Sequence, residues 1–554
     1  MPRKSRTSLA GWRPGGEPDP LARARRAERW LADTLGLPSL TATPAAAFDP
    51  APLPVSRIDR DTLAHLTAAV GSPADIDPFS RADHALGQSY PDVLRRRSGK
   101  IEAAPDAVLS PPNREAVMQV MRIAGDKGLA VIPFGGGTSA VGGVSTPAIP
   151  GAPVIVLDMR GMDRVIAIDA HDVRATAEAG IAGPALASAL GAQGVTLGHT
   201  PESFEYSTLG GWIAAGGVGE HSNLYGRARD WFVSARIATP QGIWSSEDGG
   251  TAGPALGDLI VGSEGTLGVI LDATFRIHPI PAVTDCRGFA FADFAAGCEA
   301  VRQLAQSGIP VATLRLADED ETHFVSTLAA MRRGQRLRAR IGRTMMRLRR
   351  VPERHCLAIV GLEGAAITVA RARHDIDEIM RRHKGIDLGE RPGTAWLASR
   401  YQAPGLRDAL LDRGLGFDTI ETAAAWSKLP ALRQGVGKAI ADAMAASLAG
   451  GTGRGFVMCR LGHSGPGEAS LTFTFVFPRK TGAEMEQWHA IRHAAGRAIL
   501  EGGGTASHHY GSGTGHVEDF GRENGNIAAS AQRAVKGSID PAGIMNPGKL
   551  GLPT

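Results

Sequence analysis

Apolar and polar positions along the chain follow two different periods. Over residues 113–127 apolar side chains recur every three or four positions, which predicts an amphipathic helix. The short apolar runs at 129–134 and 154–157 predict strands. Residues 1–104, rich in proline and arginine and with a helical stretch at 21–35, predict a helical extension that lies on the main body.

The pattern changes from about residue 286 onward. Short β-branched or aromatic runs alternate there with longer helical stretches, which predicts a second α/β unit with a largely antiparallel sheet. The predicted strands are residues 288–291, 356–362, 456–461 and 469–477, and the predicted helices are 294–307 and 366–383. The last strand has two unlike faces, because large apolar side chains alternate with smaller ones. The two sets are Leu471, Phe473, Phe475 and Phe477, and Thr472, Thr474 and Val476.

The composition is that of a soluble globular protein with more than one domain. The chain has 554 residues, of which 21% are charged and 43% hydrophobic, and its net charge is +4. So small a charge does not favour nucleic acid as a partner. The four cysteines, Cys286, Cys298, Cys356 and Cys459, lie far apart, which indicates neither a zinc site nor a disulfide framework. No apolar run is long enough for a secretory signal or a transmembrane helix, so we expect a cytoplasmic protein.

Residues 331–354 form an unusually basic segment. They carry ten arginines, with isoleucine, leucine and methionine side chains between them. Three interpretations are open: a solvated surface helix, a helix that contacts anionic lipid at the periphery of a membrane, and a nucleic-acid contact. No aromatic residues are interleaved to stack on bases, so we predict no nucleic-acid partner.

Two glycine-rich segments, at residues 133–139 and 207–217, are the strongest chemical signal. Each places small residues where backbone N–H groups can close on a phosphate, and two such loops suit a dinucleotide. A Rossmann fingerprint requires a helix that opens at the last glycine of the loop. Here the amphipathic helix precedes the first loop and no helical pattern follows it, so the pattern excludes that fold.

The order of motifs resembles a known family. Pro-Pro-Asn-Arg-Glu-Ala-Val at 111–117 opens the helix, the Gly-Gly-Gly-Thr-Ser loop follows, and then come Ser-Thr-Leu-Gly-Gly at 207–211 and Gly-Ser-Glu-Gly-Thr-Leu-Gly-Val-Ile at 262–270. This succession, over about residues 105–281, resembles the FAD-binding domain of the vanillyl-alcohol oxidase and p-cresol methylhydroxylase (PCMH) class. The resemblance implies FAD, with the two loops on its pyrophosphate and ribityl chain. Some members bond the flavin covalently to a histidine near the position of Thr138, so the resemblance implies non-covalent FAD here.

The same resemblance implies a set of cofactor-binding residues and a fold. The residues are Pro133, Gly135, Gly136, Gly137, Thr138, Ser139, Pro201, Ser207, Thr208, Gly210, Gly211, Gly217, Glu264, Gly265, Gly268, Val269 and Ile270. The implied fold class is α+β, with a PCMH-type FAD-binding domain of two subdomains, an α/β cap domain for the substrate with a largely antiparallel sheet, and the helical N-terminal extension. The implied boundaries are 1–104 for the extension, 105–285 for the FAD domain, 286–510 for the cap, and 511–554 for a C-terminal segment that returns to the FAD domain.

Histidines outside the glycine loops are candidates for acid–base chemistry. His508 and His509 are adjacent and are followed by Tyr510, and such a group can exchange protons near neutral pH. His199 precedes the second glycine loop, and His463 precedes the strand at 469–477. A single histidine is more often a buried structural residue, so that alternative stays open for each.

Arg315 and Arg407 are candidates for anion binding. Each stands within an otherwise apolar stretch. An arginine in such a place either makes a structural ion pair or binds an anion with two hydrogen bonds, and the sequence leaves both open.

Motifs in the second half of the chain resemble the alkyldihydroxyacetonephosphate synthase family. They are Arg-Asp at 407–408, Asp-Thr-Ile-Glu-Thr-Ala at 418–423, Ala-Ser-Leu at 469–471 with Phe-Thr-Phe beyond it, and Ser-His-His at 507–509. In that family FAD acts without net redox change: flavin N5 attacks the substrate, a fatty acid leaves, and a long-chain alcohol takes its place to give an ether lipid precursor. The resemblance implies a phosphate-bearing lipid substrate, which suits two arginines and a membrane-surface helix, and a homodimer. It assigns the active site to His199, Arg315, Arg407, His508 and His509.

Two positions depart from the family pattern. The family has a third consecutive histidine where this chain has Tyr510, and a tyrosine, taken as an essential acid/base, where it has Thr472. An aliphatic hydroxyl is a far weaker acid than a phenol, so Thr472 does not replace that tyrosine. Our hypothesis is that Tyr510 supplies the missing hydroxyl from the neighbouring position.

A second resemblance is to the FAD-linked D-2-hydroxy acid dehydrogenases. It rests on Asn-Pro-Gly-Lys at 546–549, whereas only His463 remains of that family's metal-binding motif. One histidine does not hold a divalent cation against water, so we predict no metal site. Three functions stay open: a flavin-dependent transferase, a metal-free FAD oxidoreductase in which a histidine takes the hydroxyl proton of an alcohol or hydroxy acid, and a flavin-binding protein without catalysis.

Overall fold

The computed structural model describes most of the chain. The described residues are 21, 25–51, 53–149, 151–246, 255–331, 342, 344–449 and 451–552. The first part of the predicted extension, and residues 332–341 and 343 of the basic segment, lie outside them.

A three-stranded parallel sheet opens the cofactor-binding half. Its strands, in the order β1-β3-β2, are β1 (Ala107–Leu109), β2 (Ala130–Phe134) and β3 (Val154–Asp158). The helix Arg114–Lys127 connects β1 to β2 and buries the apolar face that its period predicted. Asn113 caps its start, accepting a hydrogen bond from a backbone N–H, and Gly128 ends it with φ of 64°. Helix and strands confirm the elements predicted for this segment.

A second, antiparallel sheet follows in the same half. Its five strands lie in the order β4-β5-β9-β7-β8, and β6 pairs with β10 beside them. The strands are β4 (Val165–Asp169), β5 (Arg174–Glu178), β6 (Val195–Thr196), β7 (Phe232–Thr239), β8 (Gly242–Ser246), β9 (Val269–Arg276) and β10 (His278–Pro279). The helices between them are Gly183–Gly191, Leu209–Ala214, Ser222–Tyr225 and Ala228–Trp231. The two sheets form the two subdomains that the resemblance implied.

The cap is built on one seven-stranded sheet in the order β14-β11-β13-β12-β16-β17-β15. The strands are β11 (Val283–Phe291), β12 (Thr313–Ala317), β13 (Cys356–Gly364), β14 (Ile386–Gly389), β15 (Leu415–Ala425), β16 (Phe456–Ser464) and β17 (Glu468–Pro478). All neighbouring pairs are antiparallel, which confirms the predicted sheet. One detail differs: β16 extends to Ser464, so His463 lies within that strand and does not lead into the next one.

The cap helices lie against this sheet. They are Phe294–Gln306, Glu319–Met331, Ala366–Arg382, Glu390–Ser399, Ala403–Leu411, Leu429–Ser447 and Glu484–Glu501. Among the described helices, none combines the length and the apolar character needed to cross a membrane.

The two faces of β17 meet different surroundings, as their composition predicted. Phe473 and Phe475 are buried in the same apolar cluster as residues of the helices Leu429–Ser447 and Glu484–Glu501. The opposite face, including Thr472, borders a cavity. Since both faces are covered, β17 separates the apolar core of the cap from the cavity.

The N-terminal residues contact both halves of the molecule. Their helices are Arg25–Leu35, Arg60–Val70, Pro78–Asp83 and Tyr90–Arg97. Leu31 shares an apolar cluster with Met458 of the cap, and Leu66 shares another with Val120 of the cofactor-binding half. The described residues between 36 and 59 mostly have no regular structure, so the described extension is only partly helical.

The last residues return to the first sheet. The helix Val517–Ile539, interrupted at Gly525, leads to Met545, which forms a parallel bridge with Val131 of β2. Lys536 is buried near the end of this helix, and its Nζ donates to Asp540 Oδ2 at 2.5 Å. The same Nζ also donates to the carbonyl oxygens of Thr266 (2.6 Å) and Met545 (2.7 Å). One ammonium group therefore joins the helix, the tail and the loop that precedes β9 of the second sheet.

We expect Lys536→Met to lower the free energy of unfolding by about 3–5 kcal/mol, because the buried Asp540 carboxylate would lose its cation. The measurement is the urea midpoint of the FAD-loaded protein. Lys438→Met is the matched control, since Lys438 pairs with Asp442 in the same i,i+4 geometry on the surface. Equal midpoints for the two variants would contradict the structural role of Lys536.

Candidate active site

One cavity lies between the cofactor-binding half and the cap sheet. Every residue that the sequence predicted to bind the cofactor lines it. The cap side contributes Arg315, Arg407, Arg460, His463, His509 and Tyr510. The glycine loops and most of the candidate chemical residues therefore share one space.

The two glycine loops touch each other along this cavity. A Cβ on Gly136 would lie 2.2 Å from the carbonyl oxygen of Tyr206, and one on Gly135 would lie 2.3 Å from Thr208 Oγ1. Neither distance is tolerable for a carbon atom, so only glycine allows this approach.

Three consecutive backbone N–H groups of the first loop are available to a ligand. Those of Gly137, Thr138 and Ser139 have no acceptor within the part of the chain that the structure describes. All three residues line the cavity, and Gly137 has φ of 62°. Consecutive N–H groups of this kind form a concave anion site, so the loop fits the diphosphate of a dinucleotide.

We expect Gly136→Ala to weaken FAD binding roughly tenfold or more, because overpacking of this kind costs about 1–3 kcal/mol. Titration of the apoprotein with FAD, followed by flavin fluorescence, measures the affinity. Gly125→Ala is the control, since a Cβ there meets no atom within 4 Å. The same affinity in both variants would show that the loops need not touch.

Glu264 connects the cofactor side of the cavity to the segment after Tyr510. Its carboxylate accepts hydrogen bonds from the backbone N–H groups of Ser512 (2.5 Å) and Gly513 (2.8 Å). Burial raises the pKa of Glu264, and the two N–H groups offset only part of that effect. The side chain thus holds the end of residues 507–513, which we call the histidine segment, against the cofactor-binding half.

A buried carboxylate orients His509. Glu421 of β15 accepts hydrogen bonds from the backbone N–H groups of His508 (3.2 Å) and His509 (2.5 Å), and from His509 Nδ1. Burial alone would raise the pKa of Glu421, but His509 and the hydrogen bonds lower it below its ordinary value. Because Nδ1 is held by the carboxylate, Nε2 is the ring nitrogen left for a ligand in the cavity.

Two of the predicted histidines, His199 and His508, lie behind the cavity wall. His508 Nε2 is 3.2 Å from His463 Nδ1, and burial lowers the pKa of both histidines to about 3. His199 lies against Trp212 and Trp231, with ring centroids 5.0 and 5.2 Å apart, and burial lowers its pKa to about 3. All three rings are therefore neutral near physiological pH, and only His463 of the three lines the cavity.

Arg407 presents a positive charge to the cavity. Its Nη1 donates to the backbone oxygen of Gln88 (2.8 Å) and its Nη2 to the side-chain oxygen of the same residue (3.1 Å). Its Nε is buried without a partner, and no carboxylate among the described residues lies within ion-pair distance. Both contacts are to neutral oxygens, so the charge remains available to an anion.

Arg315 and Arg460, in contrast, belong to a network of ion pairs. Arg315 Nη2 is 2.6 Å from Glu321 Oε1, and Arg460 Nη2 is 2.8 Å from Glu202 Oε1. Glu220 Oε1 lies 3.9 Å from Arg315 Nη1. We call these five residues the charge network. Glu202 and Glu220 come from the cofactor-binding half, so the charge network spans the cavity from one half to the other.

Tyr510 lies in the wall near the charge network. Burial raises the pKa of its phenol well above the ordinary value, and Glu202 raises it further while Arg460 opposes this. The hydroxyl therefore stays protonated at physiological pH and can donate a hydrogen bond into the cavity.

The sequence patterns did not assign several residues of this site. Glu421 and Arg460 could have been found from the sequence, because each is a charged residue within a run that otherwise predicts a buried strand. Glu202, Glu220 and Gln88 lie in loops, and no periodicity marks them. Their positions follow only from the packing of the two halves.

Known proteins match this chain both in its separate domains and over most of its length. Residues 105–246 match the family described as FAD binding domain, and residues 280–550 match the family described as FAD linked oxidases, C-terminal domain. An alkyldihydroxyacetonephosphate synthase from Dictyostelium discoideum is 32% identical over 486 residues, which cover 86% of this chain and 78% of the relative. A solved alkyldihydroxyacetonephosphate synthase structure covers 99% of both chains with a TM-score of 0.84 and 26% identity. The structure of p-cresol methylhydroxylase shares the fold, with a TM-score of 0.71 and 15% identity over 90% of this chain and 98% of that one.

Proposed function

Because the chain belongs to the alkyldihydroxyacetonephosphate synthase family, with FAD as its cofactor, we propose that it exchanges the acyl group of an acyl dihydroxyacetone phosphate for the alkyl group of a long-chain alcohol. The observation that carries this proposal is the guanidinium of Arg407. It faces the cavity, and within the described chain no carboxylate neutralises it. A dianionic phosphate on the substrate is the partner that such a group fits.

The chain offers a fitting place for FAD. The free N–H groups of Gly137, Thr138 and Ser139 would hold the diphosphate, and the close contact between the two glycine loops keeps side chains out of its way. Thr138 brings no nucleophilic nitrogen to this position, in keeping with non-covalent binding. When bound, FAD supplies the flavin N5 that acts as the nucleophile of the exchange.

The acid–base work falls to side chains of the chain itself. His509 Nε2 would take the hydroxyl proton of the incoming alcohol, and the Glu421 carboxylate on Nδ1 would stabilise the positive charge that the ring acquires. The hydroxyl of Tyr510 would donate a hydrogen bond to the substrate near Arg460. These assignments explain why the histidine segment is held on both sides, by Glu421 and by Glu264.

An FAD oxidoreductase that acts on an alcohol or hydroxy acid is the second candidate. Thr472 favours it, because a threonine borders the cavity where the transferases carry a tyrosine. The pair of His509 and Glu421 would also serve this reaction, since hydroxyl oxidation requires one base near the flavin.

The two candidates differ in what happens to the flavin. Without oxygen, we expect acyl dihydroxyacetone phosphate to release its fatty acid, and added long-chain alcohol to give the ether product while the visible flavin absorbance is regained. Lasting loss of that absorbance with a D-2-hydroxy acid, and no exchange, would instead establish the oxidoreductase. Neither effect with any substrate would leave a flavin-binding protein.

Other aspects of the protein are proposed on sequence grounds alone. They are a cytoplasmic location, a homodimer, and peripheral membrane contact through residues 331–354, which suits a lipid substrate. Co-sedimentation with anionic and neutral vesicles tests the membrane contact, and light scattering tests the dimer.

A further inference from the structure

The charge network contains one more carboxyl group than its guanidinium groups can neutralise. Two guanidinium groups, those of Arg315 and Arg460, face the carboxyls of Glu202, Glu220 and Glu321. These three side chains are 8–31% exposed, and an unpaired carboxylate in such a largely buried place is costly, a cost that uptake of a proton removes. One carboxyl of the three is therefore a candidate to carry a proton.

The distances single out Glu220. Glu321 and Glu202 each lie within 2.8 Å of a guanidinium nitrogen, whereas the nearest one to Glu220 Oε1 is 3.9 Å away, beyond hydrogen-bond reach. Throughout the described ranges, no N–H or hydroxyl donates a hydrogen bond to the Glu220 carboxyl. The carboxyl also lines the cavity, so a ligand could reach it.

The other titratable groups around Glu220 do not neutralise its carboxylate. Burial raises the pKa of Glu220, and Glu202 raises it further against the opposing effects of Arg315, Arg460 and His509. His509 is itself paired with Glu421, and Tyr401 is neutral near physiological pH because burial raises its pKa. A phosphate-bearing substrate would add negative charge to the cavity and favour the protonated acid still more.

We propose that Glu220 holds a proton in the resting site and is the general acid of the exchange, giving this proton to the fatty acid as it leaves. The inference rests on the proposed function. As the bond between the substrate carbon and the acyl oxygen breaks, its electron pair goes to the oxygen, which takes the Glu220 proton, and the flavin N5 that FAD would supply would take the vacated position on the carbon. When the alcohol oxygen then bonds to this carbon, the bond to N5 would break and the hydroxyl proton would go to His509 Nε2. Transfer of that proton from His509 to the Glu220 carboxylate restores the resting site, and the sum is ester plus alcohol giving ether plus fatty acid.

Infrared spectroscopy of the FAD-loaded protein tests the proton without any turnover. We expect a carbonyl band of a protonated carboxylic acid at neutral pH that shifts in D₂O and is absent from Glu220→Gln. Glu205→Gln is the matched control, because Glu205 belongs to the same loop as Glu202 and does not line the cavity. If Glu220→Gln keeps every such band of the native protein, the proposal is overturned.

Kinetics test the acid role. We expect the rate of native protein to fall at alkaline pH, and we expect Glu220→Gln to remove that fall and to slow fatty acid release roughly 10²- to 10³-fold with FAD still bound. A difluoroacyl substrate, whose acid leaves without protonation, should largely abolish the defect. An equal defect with both substrates, or no defect, would overturn the acid role.

The two experiments separate this inference from the proposed function. If native protein exchanges acyl for alkyl and Glu220→Gln does so equally well, the acid assignment fails and the function stands. If native protein releases no fatty acid, the function fails together with the acid role, whereas an infrared band lost in Glu220→Gln would still place the proton on Glu220.

Discussion

Replacing His509 with alanine is expected to slow turnover roughly 10²- to 10⁴-fold while FAD remains bound. The side chain lines the cavity, and Glu421 fixes its Nδ1, so its loss removes the ring base that a buried carboxylate orients in the described wall. FAD should stay bound because the glycine loops lie on the other half of the cavity. The measurement is kcat for the exchange, together with the visible flavin spectrum of the purified variant.

Four comparisons make this test specific. Added imidazole should restore part of the activity of His509→Gly, which a merely structural role would not allow. His508→Ala should have a smaller effect, because its ring contacts His463 behind the wall, and the double variant should be inactive with FAD bound. His489→Ala, on an exposed position of a cap helix, should behave as the native protein. Full activity of the double variant would end this assignment.

Replacing Arg407 with glutamine is expected to raise KM for a phosphate-bearing substrate about 10- to 100-fold, with a smaller change in kcat. Charge-assisted hydrogen bonds contribute about 1.5–3 kcal/mol, and glutamine cannot supply them with a positive charge. Arg407→Lys should fall between the two, since an ammonium group keeps the charge and loses the planar fork.

A substrate without phosphate provides the decisive comparison. Native protein should bind the acyl ester of dihydroxyacetone far more weakly than the acyl ester of dihydroxyacetone phosphate. The Arg407→Gln variant should bind the two esters with nearly the same affinity. Arg302→Gln, which removes an exposed arginine paired with Glu299, should leave the preference intact. If Arg407→Gln still preferred the phosphate by the native factor, another residue would bind that group.

The sequence predicted the fold well because its signals are local. The period of residues 113–127 and the alternation within β17 depend on one element each, and the order of glycine motifs identified a family that the comparisons confirm. Boundaries were less accurate. The strand β16, for example, runs past its predicted end at residue 461 to Ser464.

The site could be predicted only in part, because its chemistry depends on contacts between distant segments. Glycine loops could be found since each is a continuous motif. His508 and His509 are neighbours in sequence, yet only His509 lines the cavity, and no periodicity in a loop shows which of two adjacent rings does so. Glu220 and Glu202 become part of the site only because the packing of the two halves brings them close to arginines of the cap. The roles of the site residues and the domain boundaries stay predictions.

The return of the C-terminal tail to the first sheet has a consequence for biogenesis. The bridge between Val131 and Met545, and the hydrogen bond from Asn546 Nδ2 to the carbonyl oxygen of Glu264, join early and late parts of the chain. The part of the cofactor site around β2 and Glu264 therefore cannot reach its final structure while the last described residues are not yet synthesised or are still within the ribosome. Flavin loading would then follow release, and premature termination upstream of Met545 would yield a colourless protein however well the early sheets fold.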